Sequence, residues 1–249
     1  MKKTKQFIIS LNRADNVITA KWNKLATIVV REDQEKEYKK NNENKILAIP
    51  IEEDGNCAKK KNAVLNRFVD ENVLILDDDI TAVGYHEKGR VKKVSDEYLQ
   101  EFCDNMFQMT EDLNTVLWGV NMQSDKKFYR EYSPFSFNSA VLGPFTAIRN
   151  VDRSIRFNEK DIFLKEDYDL SLQVLNKYRR LLRNNKWFYI SEHIELEGGL
   201  SGLRSQKIEM EHNIKLQKKW GSRIVKINRK TQNQNKTINP IVKVPIKGI

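Results

Sequence analysis

No stretch of this sequence stays apolar for the roughly 20 residues that a bilayer-spanning helix needs, so a membrane-embedded protein is not expected. The opening MKKTKQFIIS carries basic residues but only a brief apolar patch, and no small-residue cleavage site follows it. A secretory leader needs both, so export is not expected either. Cysteine is nearly absent: Cys57 and Cys103 stand far apart, in no spacing that suits a metal. That excludes a disulfide-stapled scaffold, and a reducing cytoplasm is the expected compartment.

What is present is charge, in a globular balance. Of 249 residues, 39% are hydrophobic and 31% charged, which suits one α/β domain or two small ones with a real core. Lysine and arginine number 44 against 34 acidic residues, a formal net charge of +10. Such a chain attracts polyanions, nucleic acid foremost, although composition does not separate a nucleic-acid partner from a nucleotide substrate.

QFIIS, TIVV, KILAIPI and VLIL read as short buried strands. Between them, helical spacing puts Val17, Ile18, Trp22 and Leu25 on one face, and later Ala58, Val64, Leu65, Phe68 and Val69. This alternation predicts a mostly parallel central sheet with helices on both faces. Further on, VSDEYLQEFCDNMFQMTEDL predicts a helix capped by Ser95, with Leu99, Phe102, Met106, Met109 and Leu113 as a core stripe. NEKDIFLKEDYDLSLQVLNKYRRLLRN predicts a helix with acids at its start and Arg179, Arg180 and Arg183 at its far end, a polarity that complements the helix dipole. VLWGVNM and WFYISEHIEL read as strands, and KIEMEHNIKLQKKWG as a helix stopped by Gly221. His86 and His212 read as surface positions, and the tail from about Thr231 as an extension.

Within VLILDDDI, three aspartates follow directly on an apolar strand. In open parallel sheets, ligands bind beyond the carboxyl ends of the strands. Like charges crowded there repel, and a hard divalent cation would relieve the repulsion while acting as a Lewis acid on a diphosphate. The second acidic cluster, KEDYDLSL, is by itself an ordinary acidic helix start. It gains weight because a metal–diphosphate site needs a base on its acceptor side.

In order along the chain, FIISLNRADN, CAKKKNAVLN, VLILDDDI and FLKEDYDLSLQVL resemble a nucleotide-sugar glycosyltransferase of the GT-A fold, over about residues 5–225. The aspartate run matches that fold's D-x-D motif, and KEDYDLSL matches its acceptor-side E-D motif. More narrowly, LDDDI, KEDYDLSL and GGLSGLRS resemble the TET-associated glycosyltransferases of phages, which are linked to sugar addition on 5-hydroxymethylpyrimidines in DNA. The resemblance implies a single Rossmann-like α/β domain over residues 1–230, with a nucleotide-sugar half at about 1–115, an acceptor half at about 116–230, and an extension at 231–249. It implies a nucleotide-sugar donor such as a UDP-sugar, Mn2+ or Mg2+ as cofactor, and hydroxymethylated DNA as acceptor.

It also implies roles. Asp77 would touch the donor's ribose or sugar and, with Asp79, the metal; Asp78 would assist either. Asn12 and Arg13 would meet the nucleotide, and Lys61 and Asn62 would start a donor-facing helix. Arg204 would neutralise the leaving diphosphate, and His193 would complete the metal site. Asp167 would be the base, with Glu166 as second choice. Arg130, Arg149, Arg153 and Arg156 are candidates for DNA phosphate contacts. Each of these residues also has a plain structural reading as a turn, a cap or a solvated charge. Three alternatives stay open: a GT-A enzyme acting on polysaccharide, lipid or protein; a sugar-phosphate nucleotidyltransferase, against which SLNRADN lacks the expected glycine; and a basic nucleic-acid-binding module without catalysis.

Overall fold

Side chains alternate across a strand, so an apolar strand needs cover on both faces. The computed structural model, which describes residues 2–125, 129–191, 205–227 and 238–246, provides that cover. In β1 (Lys5–Ile9) and β4 (Asn72–Asp77), Phe7, Ile9, Val73 and Ile75 enter one core, and Ile8, Leu74 and Leu76 the other. The first core is closed by α3 (Cys57–Arg67) and α5 (Glu166–Tyr178). The second is closed by α1 (Ile18–Trp22), α2 (Glu35–Asn41) and α4 (Asp96–Asp112). Ser95 caps α4 as its sequence predicts, accepting a bond from the Tyr98 N–H.

The ten-stranded sheet runs β3 (Ile46–Ile49), β2 (Thr27–Arg31), β1, β4, β9 (Phe145–Arg149), β7 (Leu117–Asn121), β10 (Leu182–Ser191), β5 (Ile80–Glu87) and β6 (Arg90–Lys93), with β8 (Phe135–Ser136) against β10. The first four strands are parallel, as expected. Beyond them the sheet is mixed, because β9 runs antiparallel to both β4 and β7, and β5 antiparallel to β10.

Three other expectations are corrected. The hairpin of β5 and β6 was not expected; it turns on Lys88 and Gly89, both at positive φ (47° and 74°), the two-residue turn that suits strand twist. The second acidic helix stops at Tyr178, where Arg179 takes a left-handed φ of 63°. Arg179 and Arg180 are therefore off the helix, Arg183 lies in β10, and only Lys177 complements the dipole. His86 and His212 are buried rather than at the surface. His86 stacks on Tyr129 and packs against Phe188, and His212 accepts the Leu164 N–H.

The last helix, α6 (Gln206–Trp220), lies against the segment leading into α5. Lys165 and Glu209, both almost inaccessible, form an ion pair at 2.6 Å. Asp169 accepts from Trp220 Nε1 at 2.7 Å and pairs with Lys219 at 2.8 Å. Residues 238–246 return to the body: β12 (Ile241–Val242) pairs with β11 (Val225–Lys226), and Val244 and Ile246 pack on the core. No helix among the described residues is long and apolar enough to cross a membrane.

Candidate active site

β4 carries its aspartates to the carboxyl end of the sheet, level with the end of β1, where Ile9 pairs with Asp77. The turn is held from outside. Thr19 Oγ1 donates to the Asp77 carbonyl (2.7 Å) and accepts the Ile80 N–H (2.9 Å), while the Thr19 N–H donates to the Asp78 carbonyl (3.1 Å).

Asp78 points back to β1. Its oxygens accept from Arg13 Nη1 and Ser10 Oγ, both at 2.6 Å. Burial raises its pKa, although the Arg13 guanidinium and these bonds oppose that. Arg13 is thereby set beside the loop after β1, with its N–H on Tyr38 Oη. Asn12, at a φ of 56°, is exposed and bonds to Gln34. Lys60, buried, donates to the Ser10 carbonyl at 2.6 Å and pairs with Asp54 at 3.0 Å.

The second cluster meets the first through α3. Lys61, 2% exposed, pairs with Glu166 at 3.1 Å. Burial alone would depress its pKa; the Glu166, Asp77 and Asp167 carboxylates outweigh that and hold the lysine charged. Asp167, half-buried at the start of α5, accepts the Gly143 N–H (2.8 Å) on Oδ2 and the Tyr168 N–H (2.7 Å) on Oδ1. Burial and the Glu166 carboxylate raise its pKa, against the pull of Lys61 and the Gly143 bond. The phenol of Tyr189, on β10 and 4% exposed, is pushed up in pKa by burial and by the fields of Asp77, Asp167 and Asp79. One buried hydroxyl thus feels both acidic clusters.

A model of the TET-Associated Glycosyltransferase family matches residues 4–199. The chain belongs to that family. No curated protein matches the sequence. The fold is that of solved GT-A glycosyltransferases. The mannosyltransferase PcManGT of Pyrobaculum calidifontis, in complex with GDP-Man and Mn2+, is 13% identical, with a TM-score of 0.57 over 87% of this chain. Glucosyl-3-phosphoglycerate synthase of Mycobacterium tuberculosis, in complex with Mn2+, UDP-glucose and phosphoglyceric acid, is 10% identical, with a TM-score of 0.54 over 99% of this chain and 90% of its own. Residues 1–349 of S. aureus TarS are 13% identical, with a TM-score of 0.50 over 86% of this chain. The chain spans only 65% of the TarS structure and 64% of PcManGT.

In this TET-associated glycosyltransferase, the donor set at the aspartate turn fits a hard divalent cation. Asp77 is half-buried and Asp79 is 8% exposed, and both offer carboxylate oxygens, of which Mg2+ typically takes one or two beside substrate phosphates. Among the described residues, no group of three or more histidine, cysteine, aspartate or glutamate side chains is assembled to hold a metal. His193 and Arg204 lie outside the described residues.

Asn62 does not share the acids' cluster of bonds: its amide clasps Phe157 and Glu159. Of the four arginines, Arg156 has its pKa lowered by burial and by the neighbouring Arg153 charge. Arg149 pairs with Glu111 and sits opposite Asn72, at the other end of β4 from Asp77. Arg156 bonds the carbonyls of Asp152 and Ile155, Arg153 is exposed, and Arg130 bonds Tyr132. Lys60, Gly143 and Tyr189 were missed from the sequence. Lys60 was hidden in a run that reads as solvated surface, and Tyr189 in a strand that reads as core.

Proposed function

We propose that this chain transfers a sugar from a nucleotide-sugar donor to the hydroxyl of a 5-hydroxymethylpyrimidine in DNA, with a divalent cation as cofactor. The observation that carries the reading is the Gly143–Pro144 backbone, which bonds Asp167 through the Gly143 N–H at 2.8 Å and Asp77 through the Pro144 carbonyl at 3.0 Å and so brings the two acidic clusters together. A transferase needs donor acids and an acceptor-side base around one point, and a purely structural acidic helix start does not. Asp79 and Asp77 would hold Mn2+ or Mg2+, which would supply Lewis-acid stabilisation of the diphosphate. Ser10, Arg13 and Asp78 form the nucleotide side, and Lys60 braces it from α3.

In an inverting reaction, the acceptor oxygen bonds the anomeric carbon. The bond from that carbon to the diphosphate breaks, and the diphosphate leaves with the electron pair. The hydroxyl proton passes to Asp167. Lys61 engages Glu166 directly, which leaves Asp167, held by two backbone N–H groups, as the better-placed base. The net charge of +10 and the family support a DNA acceptor.

The test is incubation of hydroxymethylated and unmodified DNA with a panel of UDP- and GDP-sugars and Mn2+, followed by mass spectrometry of the digested DNA. A hexose or N-acetylhexosamine adduct on the modified base alone is the expected result. A second reading, transfer to a glycan or another non-nucleic acceptor, is favoured by the engagement of Arg130, Arg149 and Arg156 with Tyr132, Glu111 and the Ile155 carbonyl, and would give products on those acceptors and none on DNA.

A further inference from the structure

The two acidic clusters are joined by one corner of backbone. Gly143 donates its N–H to Asp167 Oδ2 at 2.8 Å. The next residue, Pro144, accepts the Asp77 N–H on its carbonyl at 3.0 Å. This corner leads into β9, which is paired with β4 through Phe145 and Leu76. Any shift of the corner therefore moves Asp167 relative to the aspartates at the end of β4.

Gly143 has a φ of 69°, a conformation that side chains disfavour. A Cβ built there would lie 2.9 Å from Tyr189 Oη, closer than such atoms approach, but 3.9 Å from Tyr189 Cζ, an ordinary contact. The obstacle is one hydroxyl, on the same phenol that feels Asp77, Asp79 and Asp167.

We infer that Gly143 is a positioning residue: its N–H sets Asp167 against the donor-side aspartates, and the Tyr189 hydroxyl packed beside it fixes where that N–H lies. Nothing in the Gly143–Pro144 corner resembles a motif for this task, and the inference rests on the reading of Asp167 as base. A side chain at Gly143 must push the corner away from β10 and draw the N–H off Asp167. A misplacement of about 1 Å is able to cost ~10²-fold in turnover.

The experiment compares the unmodified chain with Gly143→Ala, Gly143→Ala/Tyr189→Phe and Asp167→Asn. It uses the donor that the unmodified chain turns over best in the sugar panel, and UDP with Mn2+ as the binding probe. The expected result is a kcat for Gly143→Ala lowered by at least ~10-fold, with donor KM and UDP affinity within about twofold of normal. Removing the hydroxyl in the double variant then restores part of kcat, which a loss caused by backbone strain alone would not allow. If Gly143→Ala does not fold, the double variant carries the test, and its kcat must exceed that of Asp167→Asn. Near-normal turnover of Gly143→Ala beside a crippled Asp167→Asn overturns the inference and leaves the base assignment standing. So does a double variant no better than the single, or no better than Asp167→Asn. Near-normal turnover of Asp167→Asn itself overturns the base assignment, and the inference with it, as does an unmodified chain inactive with every donor.

Discussion

At the scale of single residues, the two acidic clusters differ in what surrounds each carboxylate. Asp78 is engaged by Ser10 and Arg13, so its removal disturbs the nucleotide-side loop. Asp79 sits in a turn whose backbone is held by Thr19. Asp79→Ala is therefore expected to abolish Mn2+-dependent UDP binding, measured by calorimetry, while thermal unfolding stays near normal. Asp167→Asn is expected to leave that binding intact and to lower turnover by at least ~10²-fold, the scale of general-base catalysis. Burial and Glu166 raise the Asp167 pKa. A base works only when deprotonated, so kcat should fall as pH drops through a value above the ~3.9 of an ordinary aspartate. A pH–kcat profile measures that limb, and its absence in Asp167→Asn would assign it. Sequence alone pointed to both clusters, because three acids on a strand end and an acidic helix start are local signals. It did not point to Tyr189 or Gly143, whose place follows from β10 and the β9 corner meeting in space.

At the scale of elements, the apolar strands and the amphipathic helices were legible because each reads on its own period. The breaks between α5 and β10 and between β5 and β6 were not. The first depends on one residue, Arg179, adopting a left-handed turn, and the second on Lys88 and Gly89. The α5–α6 contact was also illegible, since Lys165 and Glu209 stand far apart in sequence and look like surface charges. Their burial gives a sharp expectation. Lys165→Met removes a buried cation from beside Glu209 and should cost about 3–5 kcal/mol, whereas Lys165→Met/Glu209→Leu should recover most of that loss. Urea unfolding of the three proteins decides it; a double variant as unstable as the single would mean the pair does more than neutralise itself.

At the scale of the molecule, a net charge of +10 does not say which face carries the cations. Arg149 illustrates this. It lies five residues of β4 away from Asp77, about 16 Å at ~3.3 Å per residue, and it is paired with Glu111. Arg149→Ala should therefore leave affinity for hydroxymethylated DNA unchanged in fluorescence anisotropy, and a clear loss would put DNA on that end of the sheet. Affinity of the unmodified chain should fall with rising salt, as for any contact made through phosphates. The acceptor was the least legible feature, because a charge total says nothing about where charges cluster.

The bracing of the aspartate turn by Thr19 separates shape from chemistry. The peptide geometry of Asp77, Asp78 and Ile80 is written largely in another helix's hydroxyl and amide. The carboxylate of Asp79 takes no part in these three bonds. Substitutions there would yield inert copies that keep the native surface, able to compete with the intact protein for whatever macromolecule it docks on. Lineages drifting away from catalysis would find this turn an easy place to begin.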